Sequence, residues 1–568
     1  MQIQVSELIV RYMEKLGIDT IFGMPGAHIL PVYDSLYDSH IQSVLAKHEQ
    51  GAAFMACGYS RASGRISACI TTAGPGATNL VTGIANAYAD KQPVLVITGE
   101  TPTYVFGKGG LQESSGEGGS IDQTALFDSI TLYSRVIERT DYLANVLNQA
   151  SRILLSENAG PVLLSLPYNL QKEMVDSSIL DQVYFGDKKT LTCLQQPGQP
   201  QPIHPQIQPR IQQFADLLAR SSQPVIISGY GCIRSGAQDA ITRLSEKFNI
   251  PVCSSLKGKG AIDESSPLSL GSLGVTSSGY AYDYIVNRAD LIVVLGASFN
   301  ERTSYPWNEK LLTDKQIIQV DINEAHLNKV FQADLCLHAD IRQTLDAVLD
   351  NINGAAVDKK QLDDIDDYKH RIELRASKNG EAIFQAEFSL VKAFFEKMNS
   401  HFREGISVFD DNIIFAQNLL RVSGNNRFYP NSGISSLGHA IPAAIGAQFA
   451  EKTSMFAIIG DGGFQMCCME IMTAVNYDIP LTIILFNNSS MGLIRKNQIQ
   501  SYDKRFIDCD FINPDYASLA KSFGINHVRI QSEDELQPVF DNTDFTNAIN
   551  LVEIIIDKNA FPNYSSRR

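Results

Sequence analysis

The chain has 568 residues, 44% of them hydrophobic and 19% charged, with a formal net charge of −15. That length predicts three or four domains of ordinary size, with ample material for their cores. The acidic balance argues against nucleic acid or an anionic membrane surface as the main partner, and no apolar run reaches the roughly 18 residues of a spanning helix.

The N-terminal stretch MQIQVSELIVRYMEKLG lacks a basic n-region and a cleavage site, and reads as a first amphipathic helix. From there to residue 185 short apolar runs alternate with helical stretches: ISACITTAG, a helix through ATNLVTGIANAYA, then PVLVITG. This is the rhythm of βαβ units. The Gln- and Pro-rich segment 187–210 is a linker candidate. A second α/β unit over 205–350 has strands expected at 224–229, 291–296 and 316–322, and the polar segment 353–371 is a second linker candidate. The last unit, 375–568, holds two buried runs, Met455 to Ile459 and Leu481 to Phe486, with helical spacing from Phe464 to Tyr477 between them. The fold class expected is α/β, with three doubly wound parallel-sheet domains. Nine cysteines are scattered, with only Cys467 and Cys468 close, so neither a disulfide framework nor a Cys-x-x-Cys metal site is expected. Reduced thiols suggest a cytoplasmic protein.

Chemistry enters where the last unit's strands end. In a parallel sheet Asp461 and Asn488 lie at the carboxyl ends of two strands, where such sheets bind ligands. Asp461 offers a carboxylate oxygen, Asn488 an amide oxygen and Ser490 a backbone carbonyl. That set suits Mg²⁺, which takes oxygen ligands and keeps phosphate and water in its remaining positions. Gly462 and Gly463 let backbone N–H groups approach a phosphate at a helix start. The bland alternative is a Gly-Asp turn with an unrelated Asn pair.

Three N-terminal segments follow in order: FGMPGAHILPVYDSL (22–36), AKHEQGAAFMACGYSRASG (46–64) and TTAGPGATNLVTG (71–83). Together with the Gly-Asp-Gly and Asn-Asn motifs they resemble thiamin-diphosphate enzymes, in particular the acetohydroxyacid (acetolactate) synthase large subunit. The resemblance covers essentially the whole chain, in the order pyrimidine-binding, middle and diphosphate-binding domain.

The resemblance implies thiamin diphosphate and Mg²⁺ as cofactors and gives several residues roles. The cofactor's C2 proton is removed by its own 4′-amino group, which becomes a base when a carboxyl group hydrogen-bonds the opposite ring nitrogen. Glu49 lies where the family has that carboxyl; otherwise it is a solvated glutamate at a helix start. Leu437 matches the apolar side chain that bends the cofactor, unless it is simply core, and the Ser435 carbonyl would accept from the 4′-amino group. Asp411 and Asn412 fall where diphosphate-binding residues occur, although an acidic pair with Asp410 is an odd choice beside phosphate. The cofactor-binding set also takes in Pro25, Gly26, Ala27, Thr72, Asn79, Met491, Gly492 and Leu493. In the family the carboxyl of one subunit serves the cofactor held by the other, so a homodimer or homotetramer with active sites at the subunit interface is implied.

Departures from the synthase pattern bear on the substrate. The family's Pro-Gly-Gly-Ala is here Pro25-Gly26-Ala27-His28, and Gln112 is kept but follows Leu111 rather than a phenylalanine. Leu132 stands at a channel lysine and Asn497 at a tryptophan near the second-substrate pocket. The Ala-His pair and later Leu-Gln look like benzaldehyde lyase, in which the histidine and glutamine relay protons to a substrate hydroxyl. His28 could titrate in the range a relay needs; the alternative is a structural histidine at a helix start. In the middle unit GASFNER (296–302) resembles the synthase's flavin-contacting segment with Ser298 for an arginine, and GYGCIR is not a full GxGxxG, which leaves FAD open. The expected function is a carboligase or decarboxylase acting on a small 2-oxo acid such as pyruvate. An acyloin lyase is the alternative, and a flavin- or nicotinamide-dependent dehydrogenase the rival of another class.

Overall fold

The computed structural model describes residues 1–186, 207–301, 303–304, 308–352 and 365–564. The central strands of its three large sheets are apolar runs of the sequence, buried on both faces because helices cover each side of a doubly wound sheet. The first sheet is built from β2 (Thr20–Gly23), β3 (Gln42–Leu45), β4 (Ser67–Thr71), β5 (Val94–Glu100), β6 (Tyr133–Val136) and β7 (Val162–Pro167), in the parallel order β3-β2-β4-β5-β7-β6. Outside it, β1 (Gln2–Gln4) pairs antiparallel with β8 (Met174–Asp176). The chain therefore opens on a strand, and the expected first helix is Val5–Lys15 alone.

The middle sheet contains β9 (Pro224–Ser228), β10 (Val252–Ser254), β11 (Ser269–Ser272), β12 (Leu291–Leu295), β13 (Gln316–Asp321) and β14 (Leu335–His338). Its parallel order, β11-β10-β9-β12-β13-β14, is that of dinucleotide-binding folds. The third sheet holds β15 (Ile406–Asp410), β16 (Arg427–Pro430), β17 (Ser454–Gly460), β18 (Leu481–Asn487), β19 (Asn526–Ile530) and β20 (Ile549–Ile555), ordered β16-β15-β17-β18-β20-β19. Counted along the chain within each sheet, the first and third share one order, second-first-third-fourth-sixth-fifth.

Those two domains also share a core. The Glu49–Ser63 helix crosses the Ala440–Ala450 helix so closely that a Cβ at Gly58 would sit 2.0 Å from the Ala443 carbonyl oxygen, and one at Gly446 2.0 Å from that of Met55. A single buried cluster runs from Phe22 and Ala56 through Ile441 to Leu485. Asp90 ties in the middle domain: its buried carboxylate meets Lys257 Nζ at 2.6 Å and Arg61 at 3.5 Å. Nearby, His439 is fully buried with neither ring nitrogen partnered among the described residues, and burial lowers its pKa to about 3.

The helix expected over 464–477 is three pieces, Asp461–Cys467, a 3-10 turn Cys468–Glu470 and Ile471–Asn476. The break turns Glu470 so that its carboxylate accepts from the backbone N–H groups of Lys47 and His48. Of the linker candidates, 187–206 and 353–364 lie outside the described residues; 208–210 and 365–371 already belong to the helices Gln208–Arg220 and Ile365–Lys378. Among the described residues no helix is long and apolar enough to cross a membrane.

Candidate active site

The carboxyl edge of the first sheet gathers one half of the site. The loop after β2 carries exposed Pro25 and Ala27, with Gly26 against Thr72, where a Cβ would come within 2.6 Å of the threonine's own. His28 is buried, and its backbone N–H donates to Thr72 Oγ1 at 3.3 Å. Its Nδ1 lies 3.2 Å from Gln112 Oε1, which also accepts from Thr72 Oγ1 at 3.4 Å. The contact suits the tautomer with the proton on Nδ1, because the amide oxygen as placed only accepts. Gln112 holds φ at +57°, a left-handed conformation unusual for a non-glycine residue. Glu49 opens the Glu49–Ser63 helix half-buried, and Asn79 Nδ2 donates to its Oε2 at 3.0 Å.

The other half lies at the carboxyl edge of the third sheet. Asp461 follows β17 and is 2% exposed. Its Oδ1 accepts from Gly462 N, and its Oδ2 from Asn488 N at 3.1 Å, Ser489 N at 2.6 Å and Asn513 Nδ2 at 2.8 Å. All four donors are neutral, and burial pushes the carboxyl above its ordinary range. Asn488 Oδ1 accepts from Ser490 N, and Ser490 Oγ is buried without a partner among the described residues. A buried carboxylate lacking a cation, beside amide and carbonyl oxygens, fits a hard divalent ion. Among the described residues no three His, Cys, Asp or Glu side chains converge on one metal position, so phosphate oxygens and water would complete the shell.

Around this loop a Cβ on Gly462 would meet Met491 Sδ at 2.6 Å, and one on Gly492 would meet Asn488 Nδ2 at 2.9 Å; Leu493 is exposed. Ser435 adopts φ +59° and its carbonyl accepts from Asn412 Nδ2 at 3.2 Å, while Asn412 Oδ1 is buried without a partner among the described residues. Leu437 is half-buried rather than core. Asp411 faces inward: it accepts from the backbone N–H groups of Gly438, His439 and Ala440 at 2.9, 2.9 and 3.2 Å, so it caps the Ala440–Ala450 helix, with Gly463 against it. Burial raises its pKa to about 6 despite these bonds.

Leu132, bonded through its N–H to the Pro161 carbonyl, lies at the opposite edge of the first sheet from His28 and Gln112. Asn497 is on the exposed side of the Gly492–Ser501 helix. In the middle domain the crevice at the strand ends is lined by Tyr230, Lys257, Thr276 and Ser298 and encloses about 70 Å³. Gly229 and Gly231 are packed against the backbone of Gly296 and Ala297, so they serve strand packing rather than a pyrophosphate. Arg302 lies outside the described residues. Sequence reasoning missed Asn513, which orients Asp461, Asn487 and Ser489 together; a lone asparagine in a loop gives no signal.

Two half-sites on sheets of equal strand order, one presenting a carboxyl and the other an oxygen-lined loop, are the arrangement of a thiamin-diphosphate enzyme, and the chain belongs to that family. Residues 3–125 match the N-terminal TPP binding domain of thiamine pyrophosphate enzymes, 211–348 their central domain and 412–551 their C-terminal TPP binding domain. Its relatives include acetolactate synthase large subunits. A probable one from Methanocaldococcus jannaschii is 33% identical over 97% of this chain and 92% of its own. The isozyme 2 large subunit of Escherichia coli is 29% identical over 97% and 95%, and the mitochondrial catalytic subunit of Saccharomyces cerevisiae 29% over 97% and 80%.

Proposed function

We propose that this enzyme is a Mg²⁺-dependent carboligase or decarboxylase acting on a small 2-oxo acid such as pyruvate. The pairing of Glu49 with Asn79 supports this most directly, since it holds a half-buried carboxyl by one oxygen. Bound thiamin diphosphate supplies a carbon nucleophile for making and breaking bonds to a carbonyl carbon. The chain's own work is to hold and orient it. Asp461, Asn488 and the Ser490 carbonyl would take the Mg²⁺ on its diphosphate, Ser435 and Leu437 would fix its bend, and Glu49 would share a proton with its pyrimidine ring.

Among the described residues no hydrogen bond joins Glu49 or Asn79 to Asp461, Asn488 or Ser490, although Glu470 links the two domains through Lys47 N and His48 N. Exposed apolar side chains flank both half-sites: Leu30 and Leu111 on the first, Met466 and Ile494 on the second. A second copy that brings its Glu49 half to this chain's Asp461 half would cover them, as a homodimer or within a homotetramer.

The His28–Gln112 contact favours a second reading, an acyloin lyase. Nε2 of His28 would move a proton to or from a substrate hydroxyl, a step needed when an acyloin is cleaved or formed but not when CO₂ leaves. CO₂ release and product analysis across pyruvate, longer 2-oxo acids and acyloins separates the readings. Under the lyase reading His28→Ala slows acyloin cleavage about 10²-fold or more and decarboxylation less. Unchanged cleavage in that variant makes the histidine structural and leaves the 2-oxo acid reading.

A further inference from the structure

Behind the Asp461 loop a chain of hydrogen bonds runs back to a second buried carboxylate. Glu553 lies on β20 with no exposed surface. It accepts from Arg529 Nε at 2.8 Å and Asn487 Nδ2 at 2.7 Å, and lies 2.9 Å from His527 Nε2. With its Nδ2 so engaged, Asn487 turns Oδ1 toward the loop, where it accepts from Asn513 Nδ2 at 2.8 Å and Ser489 N at 3.3 Å. Asn513 is fixed from its other end as well: its Oδ1 accepts from Gln465 Nε2 at 2.8 Å and from the Tyr516 hydroxyl at 2.9 Å. An amide whose oxygen takes both donors presents its NH₂ the other way, and here that group reaches Asp461 Oδ2 at 2.8 Å. The segment that carries Asn513 is pinned along the 488–491 loop, since Met491 N donates to the Cys509 carbonyl at 2.7 Å and Phe511 N to that of Ser489 at 3.1 Å.

The two oxygens of Asp461 are thereby made unequal. Oδ2 accepts from Asn488 N, Ser489 N and Asn513 Nδ2, which leaves it no lone pair for a cation, whereas among the described residues Oδ1 accepts from Gly462 N alone. A carboxylate that offers one oxygen makes one bond to a cation. That suits the strict octahedron of Mg²⁺, while Ca²⁺, with its larger and looser shell, also takes carboxylates through both oxygens. Asn513 is no ligand itself, because the oxygen it could offer faces Gln465 and Tyr516.

We propose that Asn513, braced by Asn487 and Glu553, is a positioning residue that turns Asp461 Oδ1 to the cation and holds that carboxylate to coordination through a single oxygen. This rests on the reading that Asp461, Asn488 and the Ser490 carbonyl hold the Mg²⁺ of the diphosphate. Asn513 is half-buried in a loop, so truncating it opens no cavity in the core of the sheet. What it removes is the donor that distinguishes one oxygen of Asp461 from the other.

The test compares wild type, Asn513→Ala and Asp461→Ala as full chains with thiamin diphosphate present. Mn²⁺ accepts the same oxygen octahedron as Mg²⁺ and is visible by electron paramagnetic resonance, so its free signal gives its affinity, and Mg²⁺ and Ca²⁺ are titrated against it. In Asn513→Ala the Mn²⁺ and Mg²⁺ affinities are expected to fall about 10–100-fold, the usual effect of losing a group that orients a metal ligand. Ca²⁺ should fall less, because a carboxylate released from Asn513 can turn both oxygens to it, so the preference between Mg²⁺ and Ca²⁺ moves toward Ca²⁺. Should Asn513→Ala fail to fold, Tyr516→Phe, which removes one of the two donors that aim the amide, should move the preference the same way. Unchanged Mn²⁺ affinity, or equal weakening of all three ions as a merely loosened loop would give, overturns the proposal. Wild-type Mn²⁺ affinity in Asp461→Ala fells the metal reading itself, whereas loss there with none in Asn513→Ala overturns the positioning role alone.

Discussion

The crossing of the Glu49–Ser63 and Ala440–Ala450 helices makes a prediction whose sign is diagnostic. In an unobstructed helix interior, Gly→Ala stabilises by about 1 kcal/mol. At Gly58 the new methyl would lie 2.0 Å from the Ala443 carbonyl oxygen, 2.6 Å from its carbon and 2.7 Å from its Cα, and all three are backbone atoms that no rotamer change can move. Reaching an ordinary 3.4 Å contact requires the helices to part by roughly 1.4 Å, the difference from the 2.0 Å now available. Overpacking of a filled core costs about 1–3 kcal/mol, and opening this crossing also loosens the cluster around Ala56, Ala444 and Ile445. We therefore expect Gly58→Ala to destabilise by about 3 kcal/mol. At about 2–4 °C per kcal/mol for a domain of this size, Tm falls by about 6–12 °C in differential scanning calorimetry. Gly446→Ala should do the same, and the double variant should cost less than the sum, because the first methyl has already parted the helices. A Tm for Gly58→Ala equal to or above wild type refutes the reasoning.

Three further outcomes follow from the site. Asp461→Ala or Asn488→Ala should weaken Mg²⁺-dependent thiamin diphosphate binding by about 10²-fold or more, read by calorimetric titration, since each removes an oxygen from a site with few of its own; unchanged affinity in both would rule out the metal assignment. Glu49→Gln should bind the cofactor normally yet lose most of its C2–H exchange in deuterated buffer, because an amide cannot share a proton as a carboxyl does; wild-type exchange by NMR would count against that role. Glu100, buried at the end of β5, makes stability depend on pH. Its folded pKa of about 7 lies above the ordinary 4.5, so the folded state binds the extra proton and stability falls as pH rises from 4.5 to 7. Glu100→Gln should gain on wild type over that window, by up to about 3 kcal/mol at pH 8, measured by denaturant titration; a constant difference from pH 5 to 8 would contradict this.

The parts of the site that the sequence revealed are those whose geometry is local. Asp461 and Asn488 each end a buried run, so their convergence follows from a parallel sheet alone. His28 and Gln112 were nominated by resemblance, and their contact depends on Thr72 and on a loop whose left-handed turn no propensity announces. Asp411 was legible as an unusual carboxylate near the site, but its partners are N–H groups from residue 438 onward, which only the fold brings to it. Glu470 and Asn513 act across domains or loops and left no periodic trace. The common strand order of the first and last domains was equally hidden, since periodicity shows strands and not their neighbours.

The inward turn of Asp411 has a consequence for how an anion is selected. The start of the Ala440–Ala450 helix would ordinarily present partial positive charge to a phosphate. Here an internal carboxylate has already taken those three N–H groups. The diphosphate would then meet little fixed positive charge from that helix, and its own negative charge would have to be balanced by an ion that arrives with it. Such a pocket discriminates by cargo: the metal-loaded diphosphate is accepted, and the bare anion is left in solution.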